Sequence, residues 1–290
     1  MDTLVNKIKL RVYDRFDRVS FTNIQPYEGH VWVNDQENPD ACVVLNSSFE
    51  SPVSVQTSLL MTEPYEVIRF LTGRCFESSL PILKDGRFKN IYTYNDDLVS
   101  SSDFFIKTYP PTPTWIDEKD REVHTKSKNI SMISSMKNFC SGHQIRSRIA
   151  HFLQDKNLAD VYGRDFGVPV DNKIECKRDY RFSIVVENQV TPGWHTEKIL
   201  DCFMSGTIPV YYGDPNIGRI YDINGIVDLL SFFGSVDPSH WDLSLLEELN
   251  EEKYESMRES VVRNFQTACE LDKHYRLPNI LDKICRESFI

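Results

Sequence analysis

Short runs of β-branched and aromatic residues alternate along this chain with stretches whose apolar positions recur every three or four residues, the pattern of strands exchanged with amphipathic helices. Residues 7–13 alternate and predict a first strand. Residues 41–45 (A-C-V-V-L) are apolar throughout, as expected of a central strand covered on both faces, and the polar residues 34–40 before them predict a loop. Residues 54–62 run through Leu59, Leu60 and Met61 into Glu63-Pro64, where the proline ends the strand and leaves Glu63 at its carboxyl end. Residues 90–94 (N-I-Y-T-Y) and 104–107 (F-F-I-K) predict further strands, and the proline-rich residues 110–113 a stiff connector.

A charged, turn-rich stretch at 115–128 reads as a domain linker. Beyond it the pattern predicts a strand at 129–134 and a helix at 143–153, built on Ile145, Ile149, Phe152 and Leu153 and opening with Arg146 and Arg148. A strand at 158–163 follows. The most informative stretch is 180–213: a β-rich run from Phe182 to Val186 ends in Glu187-Asn188, and Thr191-Pro192-Gly193 breaks it. Thr196 then offers an N-cap to a helix striped by Ile199, Leu200, Phe203 and Met204, Gly206 closes it, and residues 208–212 form a second strand. Residues 226–232 predict one more strand and 238–271 helices. The expected organisation is two α/β domains, 1–124 and 125–290, each around an open parallel sheet.

In such sheets ligands sit beyond the carboxyl ends of the strands, where Glu187, Asn188, Thr196, Glu197 and Lys198 fall. A lysine in a first helical turn opposes the helix dipole but suits a phosphate; the competing reading is a solvated side chain with its stem on the sheet. No G-x-G-x-x-G or P-loop is present, which removes the ordinary dinucleotide and NTPase readings. A net charge of −10 at pH 7 excludes a general nucleic-acid binder, so any phosphate site must be a local basic cluster. The 7 cysteines are scattered and never spaced C-x-x-C, indicating neither a disulfide framework nor a zinc site and pointing to reducing cytosol. No apolar run approaches the roughly 20 residues of a transmembrane helix, and residues 1–10 lack a signal-peptide core. A cytoplasmic protein of a bacterial or virus-infected cell is expected.

The segment E-N-Q-V-T-P-G-W-H-T-E-K-I-L-D-C-F-M-S-G-T-I-P-V-Y-Y-G resembles the signature of family 10 glycosyltransferases, the α-1,3/α-1,4-fucosyltransferases. The landmarks are a strand ending in Glu-Asn, Thr-Glu-Lys opening a helix, and Pro-Val before a glycine. Upstream, residues 130–135, then Arg146, then V-Y-G at 161–163 keep the family's order, and Glu63-Pro64 resembles its Glu-Ser-Pro motif without the serine.

The resemblance implies a GT-B fold, two Rossmann-like domains facing each other across a cleft. It implies an inverting, metal-independent transfer, fucose from GDP-fucose being the first guess, onto a glycan hydroxyl. Arg146 and Lys198 would neutralise the diphosphate in place of a metal ion, Glu197 would bind ribose hydroxyls, and Glu187, Asn188 and Thr196 would complete the donor site. Glu63 is the candidate base, with a turn-capping carboxylate as the competing reading and Glu50, Glu66 and Glu77 as other acids nearby. Trp194 stands where the family usually has tyrosine, keeping an aromatic for stacking but losing the phenol. This leaves a second donor class open, such as a UDP-pentose. His195 reads as a loop residue and Arg148 as surface. A non-catalytic protein that binds nucleotide-sugars or glycans is the alternative function.

Overall fold

A computed structural model of the chain describes residues 7–14, 24–45, 55–72 and 86–290. They fall into two units, Met1–Thr112 with Lys273–Ile290, and Pro113–Asp272. The boundary thus lies at 112/113 rather than 124/125, and the last segment of the chain belongs with the first unit.

The first unit is a parallel sheet of β1 (Ile8–Tyr13), β2 (Trp32–Asn34), β3 (Ala41–Leu45), β4 (Gln56–Leu60), β5 (Ile91–Thr93) and β6 (Phe105–Lys107), in the order β2-β1-β3-β4-β5-β6. All of β3 is buried, as its uninterrupted apolar run requires, between β1 and β4. Helix α1 (Tyr65–Thr72) starts directly after Pro64, and α2 (Asp96–Ser101) is capped by Asn95, whose Oδ1 accepts from Leu98 N at 3.0 Å. β2 was not anticipated; its residues were too few to show a period. A C-terminal helix, Leu277–Ser288, buries Leu277, Ile280, Leu281 and Ile284 in the core formed by Leu10, Val12, Val43 and Leu45. Each such side chain contributes about 1.5–3 kcal/mol on leaving water. Its spacing announces an apolar face but not which sheet will cover it.

The second unit holds β7 (Lys128–Ile133), α3 (Ser141–Asp155), β8 (Asp160–Tyr162), β9 (Tyr180–Val186), α4 (Glu197–Phe203), β10 (Ile208–Tyr212) and β11 (Val227–Asp228). Helices α5 (Leu229–Phe233), α6 (Ser244–Glu248), α7 (Glu251–Ser256) and α8 (Arg258–Leu271) follow. The strands pair in parallel in the order β11-β10-β9-β7-β8. Ile149, Ala150 and Leu153 of α3 pack with Ile130, Met132, Ile184 and Val186 of the sheet. Because β8 lies on one side of β7 and β9 on the other, the winding reverses between β7 and β9, and such a reversal opens a crevice at the carboxyl ends of those strands.

Two expectations change here. The strand at 226–232 is limited to Val227–Asp228, because Asp228 Oδ1 accepts from Ser231 N at 2.7 Å and caps α5 at once. The stretch 115–128 is no linker but part of the second unit. Thr114 Oγ1 and Trp115 N donate to Asp201 Oδ1 at 2.7 and 2.8 Å, and the buried Lys126 is enclosed by oxygens of that unit. Among the described residues no helix is long and apolar enough to cross a membrane.

Candidate active site

The crevice is organised by the residue that follows β9. Glu187 is 1% exposed, and its carboxylate accepts from Thr196 N (2.9 Å), Thr196 Oγ1 (3.0 and 2.9 Å) and Lys198 Nζ (3.2 Å). Thr196 has extended backbone and caps α4, its Oγ1 accepting from Lys198 N at 3.4 Å and from Lys198 Nζ at 2.8 Å. The carboxylate expected to bind donor is therefore spent on holding the loop, and through it Lys198. Two glycines permit this crowding. A Cβ at Gly142 would lie 1.8 Å from Glu187 O, and one at Gly213 2.6 Å from Glu187 Cγ. The start of α3 is in turn fixed to the strand end by Gly142 N donating to Asn188 O at 3.0 Å.

One helical turn on, buried Arg146 donates through Nη1 to Val186 O (2.9 Å) and Asn188 Oδ1 (3.2 Å). It lines a pocket of about 160 Å³ together with Ser134, Lys173, Lys177, Glu197 and Lys198. This is the reversal point between β7 and β9. Glu197 Oε1 lies 3.6 Å from Lys198 Nζ and 3.7 Å from Lys173 Nζ. Lys173 also lies 3.4 Å from Asp201 Oδ2 and sits over the Trp115 ring, 4.3 Å from its centroid.

The charges are settled by competition between burial and neighbours. Burial pulls the Lys198 ammonium down, but Glu187 and Glu197 outweigh it and hold it above the ordinary lysine range. Burial pushes the Glu197 carboxyl up, yet Lys198 and Lys173 carry it below its usual range. For Asp201 burial prevails over Lys173 and the carboxyl is raised. Burial, helped by the charges of Arg146, Lys137 and Lys198, pushes the His143 imidazole down to about 4 and keeps it neutral beside the arginine. Lys198 thus stays a cation and Glu197 a carboxylate at neutral pH.

Glu187, Asn188, Thr196, Glu197 and Lys198 come together as the spacing predicts, and Arg146, brought in by the resemblance, joins them. Trp194 is buried, at 1% exposure, and offers no free face for stacking. His195 is a loop residue, its Nδ1 3.2 Å from Asp214 Oδ2, while Asp214 Oδ1 accepts from Gly193 N at 2.7 Å. Arg148 is a surface residue paired with Asp237 at 3.6 Å. Glu63 lies in the first unit, half-buried after β4, its carbonyl accepting from Tyr94 OH at 3.1 Å. Of the other acids, Glu66 opens α1, and Glu50 and Glu77 lie outside the described residues. Lys173, Lys177 and Asp201 escaped the sequence reading. Asp201 could have been found as the one carboxylate inside the apolar run of α4.

Two doubly wound parallel units, with a cationic pocket at the reversal point of the second, give the α/β architecture of the GT-B class. Residues 123–274 match the family described as glycosyltransferase family 10 (fucosyltransferase) C-term, and the chain belongs to that family. Its pocket residues lie inside the matched segment. The α-(1,3)-fucosyltransferase FucT of Helicobacter pylori is 36% identical over 66 residues, 23% of this chain and 14% of that protein. The matches span 14% and 16% of the lengths of the two curated relatives. A crystal structure of an α1,3-fucosyltransferase with GDP-fucose superposes with a TM-score of 0.56 at 14% identity, covering 93% of this chain and 90% of that one. Another, of an α1,3-fucosyltransferase, gives 0.57 at 14% identity over 89% and 82%. Both speak for the fold.

Proposed function

We propose that this chain is an inverting glycosyltransferase that moves fucose from GDP-fucose to a glycan hydroxyl without a metal ion. The observation that carries the reading is the pair Arg146 and Lys198, held beside one pocket by Val186 O with Asn188 and by Glu187 respectively, in the segment that matches the fucosyltransferase family. Their charges would meet the diphosphate as it departs. Glu63 would accept the proton of the acceptor hydroxyl, whose oxygen attacks the anomeric carbon while the carbon–oxygen bond to the β-phosphate breaks and its electron pair leaves with the diphosphate. Glu197 would take the ribose hydroxyls, and Asn188 hydroxyls of nucleotide or sugar. The protein would act in the cytoplasm.

Trp194, buried and without the phenol the family usually has at this position, favours as second reading the same chemistry on another donor such as a UDP-pentose. Thermal shift with GDP, UDP and their sugars separates the two, since a ligand bound to the native state raises the midpoint by mass action. A midpoint raised by donor with no transfer to any glycan would leave a binding protein. Loss of donor binding in Arg146→Ala and Lys198→Ala is expected, and intact binding in both would refute the clamp. Glu63→Gln should bind donor normally and lose most turnover; retained turnover moves the base elsewhere.

A further inference from the structure

Four cations and three carboxylates surround the pocket, Arg146, Lys173, Lys177 and Lys198 against Glu187, Glu197 and Asp201, so one positive charge is in excess. It can be located. Lys173 has Glu197 and Asp201, Lys198 has Glu187 and Glu197, and Arg146 is bonded to Val186 O and Asn188 Oδ1 within reach of the Glu187 charge. Lys177 has none of these. It is 3% exposed, it lines the pocket, and its Nζ donates to Ser183 Oγ. Among the described residues no carboxylate lies within ion-pair distance of it. The Ser183 hydroxyl donates in turn to Ser131 O at 3.2 Å, and the Cys202 thiol beside the ammonium is kept protonated by burial, so neither brings a counter-charge.

A second group points the same way. Ser134 is buried, lines the same pocket, and its Oγ has no hydrogen-bond partner among the described residues. An ammonium whose bonds are to the Ser183 hydroxyl and the Cys202 thiol and that has no counter-ion, in the same pocket as an unpaired hydroxyl, is relieved by an anion that accepts from both.

We propose that Lys177 is a specificity-determining residue of the donor pocket, an anion anchor that takes a phosphoryl oxygen of the bound nucleoside diphosphate. A phosphoryl group fits better than a planar carboxylate, because its oxygens diverge and can meet Lys177, Lys198 and Arg146 together. The nucleotide part rests on the donor reading above. The anion site does not.

The test is calorimetric titration of the full chain with inorganic pyrophosphate, GDP, UDP and guanosine, comparing wild type with Lys177→Met, Lys177→Arg and Lys177→Gln. We expect pyrophosphate and the diphosphates to bind at least about tenfold more weakly to Lys177→Met, to recover in Lys177→Arg, and guanosine affinity to stay unchanged. Lys177→Gln keeps a bond to Ser183 without the charge and repeats the loss should the methionine variant not fold. Without ligand, Lys177→Met should melt no lower than wild type, since it removes an uncompensated buried charge. Pyrophosphate affinity unchanged in the neutral variants, or no pyrophosphate binding by wild type, overturns the proposal. Failure of the donor reading looks different: pyrophosphate binds through Lys177, but no nucleoside diphosphate binds more tightly than pyrophosphate alone.

Discussion

Two buried lysines of the second unit, one of which donates to the other's backbone carbonyl, are used in opposite ways. Lys126 Nζ donates to Lys177 O, Arg178 O, Ser205 O and Thr207 Oγ1 at 3.3, 3.0, 2.7 and 3.0 Å, joining the segment before β7 to the turns that open β9 and β10. Its donors are spent inside the protein. Lys177 has Ser183 Oγ, the Cys202 thiol and a pocket. An amine enclosed by carbonyls, pushed down to about 7 by burial, is a structural pin, whereas an ammonium without a carbonyl cage beside a cavity is a demand for a ligand. Burial and residue type do not distinguish them; the count of acceptors does.

The comparison breaks most visibly at the pin. Lys126→Met leaves the buried Ser205 carbonyl without its donor, at a cost of about 1–3 kcal/mol, and unties three chain segments at once, so it should lower the melting midpoint clearly. A midpoint within a degree or so of wild type would mean the cage is dispensable. Gly142→Ala comes next: its Cβ meets Glu187 O, α3 must move, and overpacking of about 1–3 kcal/mol should appear as lost stability and weakened donor binding together. Calorimetry of the variant checks both.

Lys198→Ala should act on binding and on stability together. Loss of a charge-assisted contact worth about 1.5–3 kcal/mol predicts roughly a 10- to 100-fold weaker diphosphate affinity by titration, and the midpoint should fall because the buried Glu187 carboxylate keeps Thr196 but loses its cation. The smallest effect concerns acid. The folded state holds His143 at about 4, below the 6.5 of the free side chain, so the unfolded chain binds the extra proton between those values and stability falls as pH drops through that window. His143→Leu should flatten the midpoint between pH 6.5 and 4; an identical acid limb would assign the loss to other groups.

Much of the site was legible because it is local. Glu187, Thr196 and Lys198 are within 11 positions of one another, and the bonds joining them are those of a strand end and a helix cap. Lys173 and Lys177 were invisible for the converse reason. In sequence they are lysines in a polar turn. Lys177 becomes buried, and Lys173 partly so, because that turn packs on the sheet, with Ser131 Oγ donating to Cys176 O at 2.7 Å. Trp194 misled in the other direction: an aromatic in a loop reads as a platform, and only the fold tells that it is buried. Strand positions followed from apolar runs, while the order β11-β10-β9-β7-β8 depends on crossovers that no periodicity encodes.

The helix Leu277–Ser288 sets a timetable. It fills the core of the first unit but is synthesised after the whole of the second, which is one uninterrupted piece, Pro113–Asp272. On the ribosome the second unit can complete its sheet while the first still exposes the apolar face of β1 and β3. Chain truncation just beyond Asp272 should therefore spare the later-made unit and leave the earlier one unfinished.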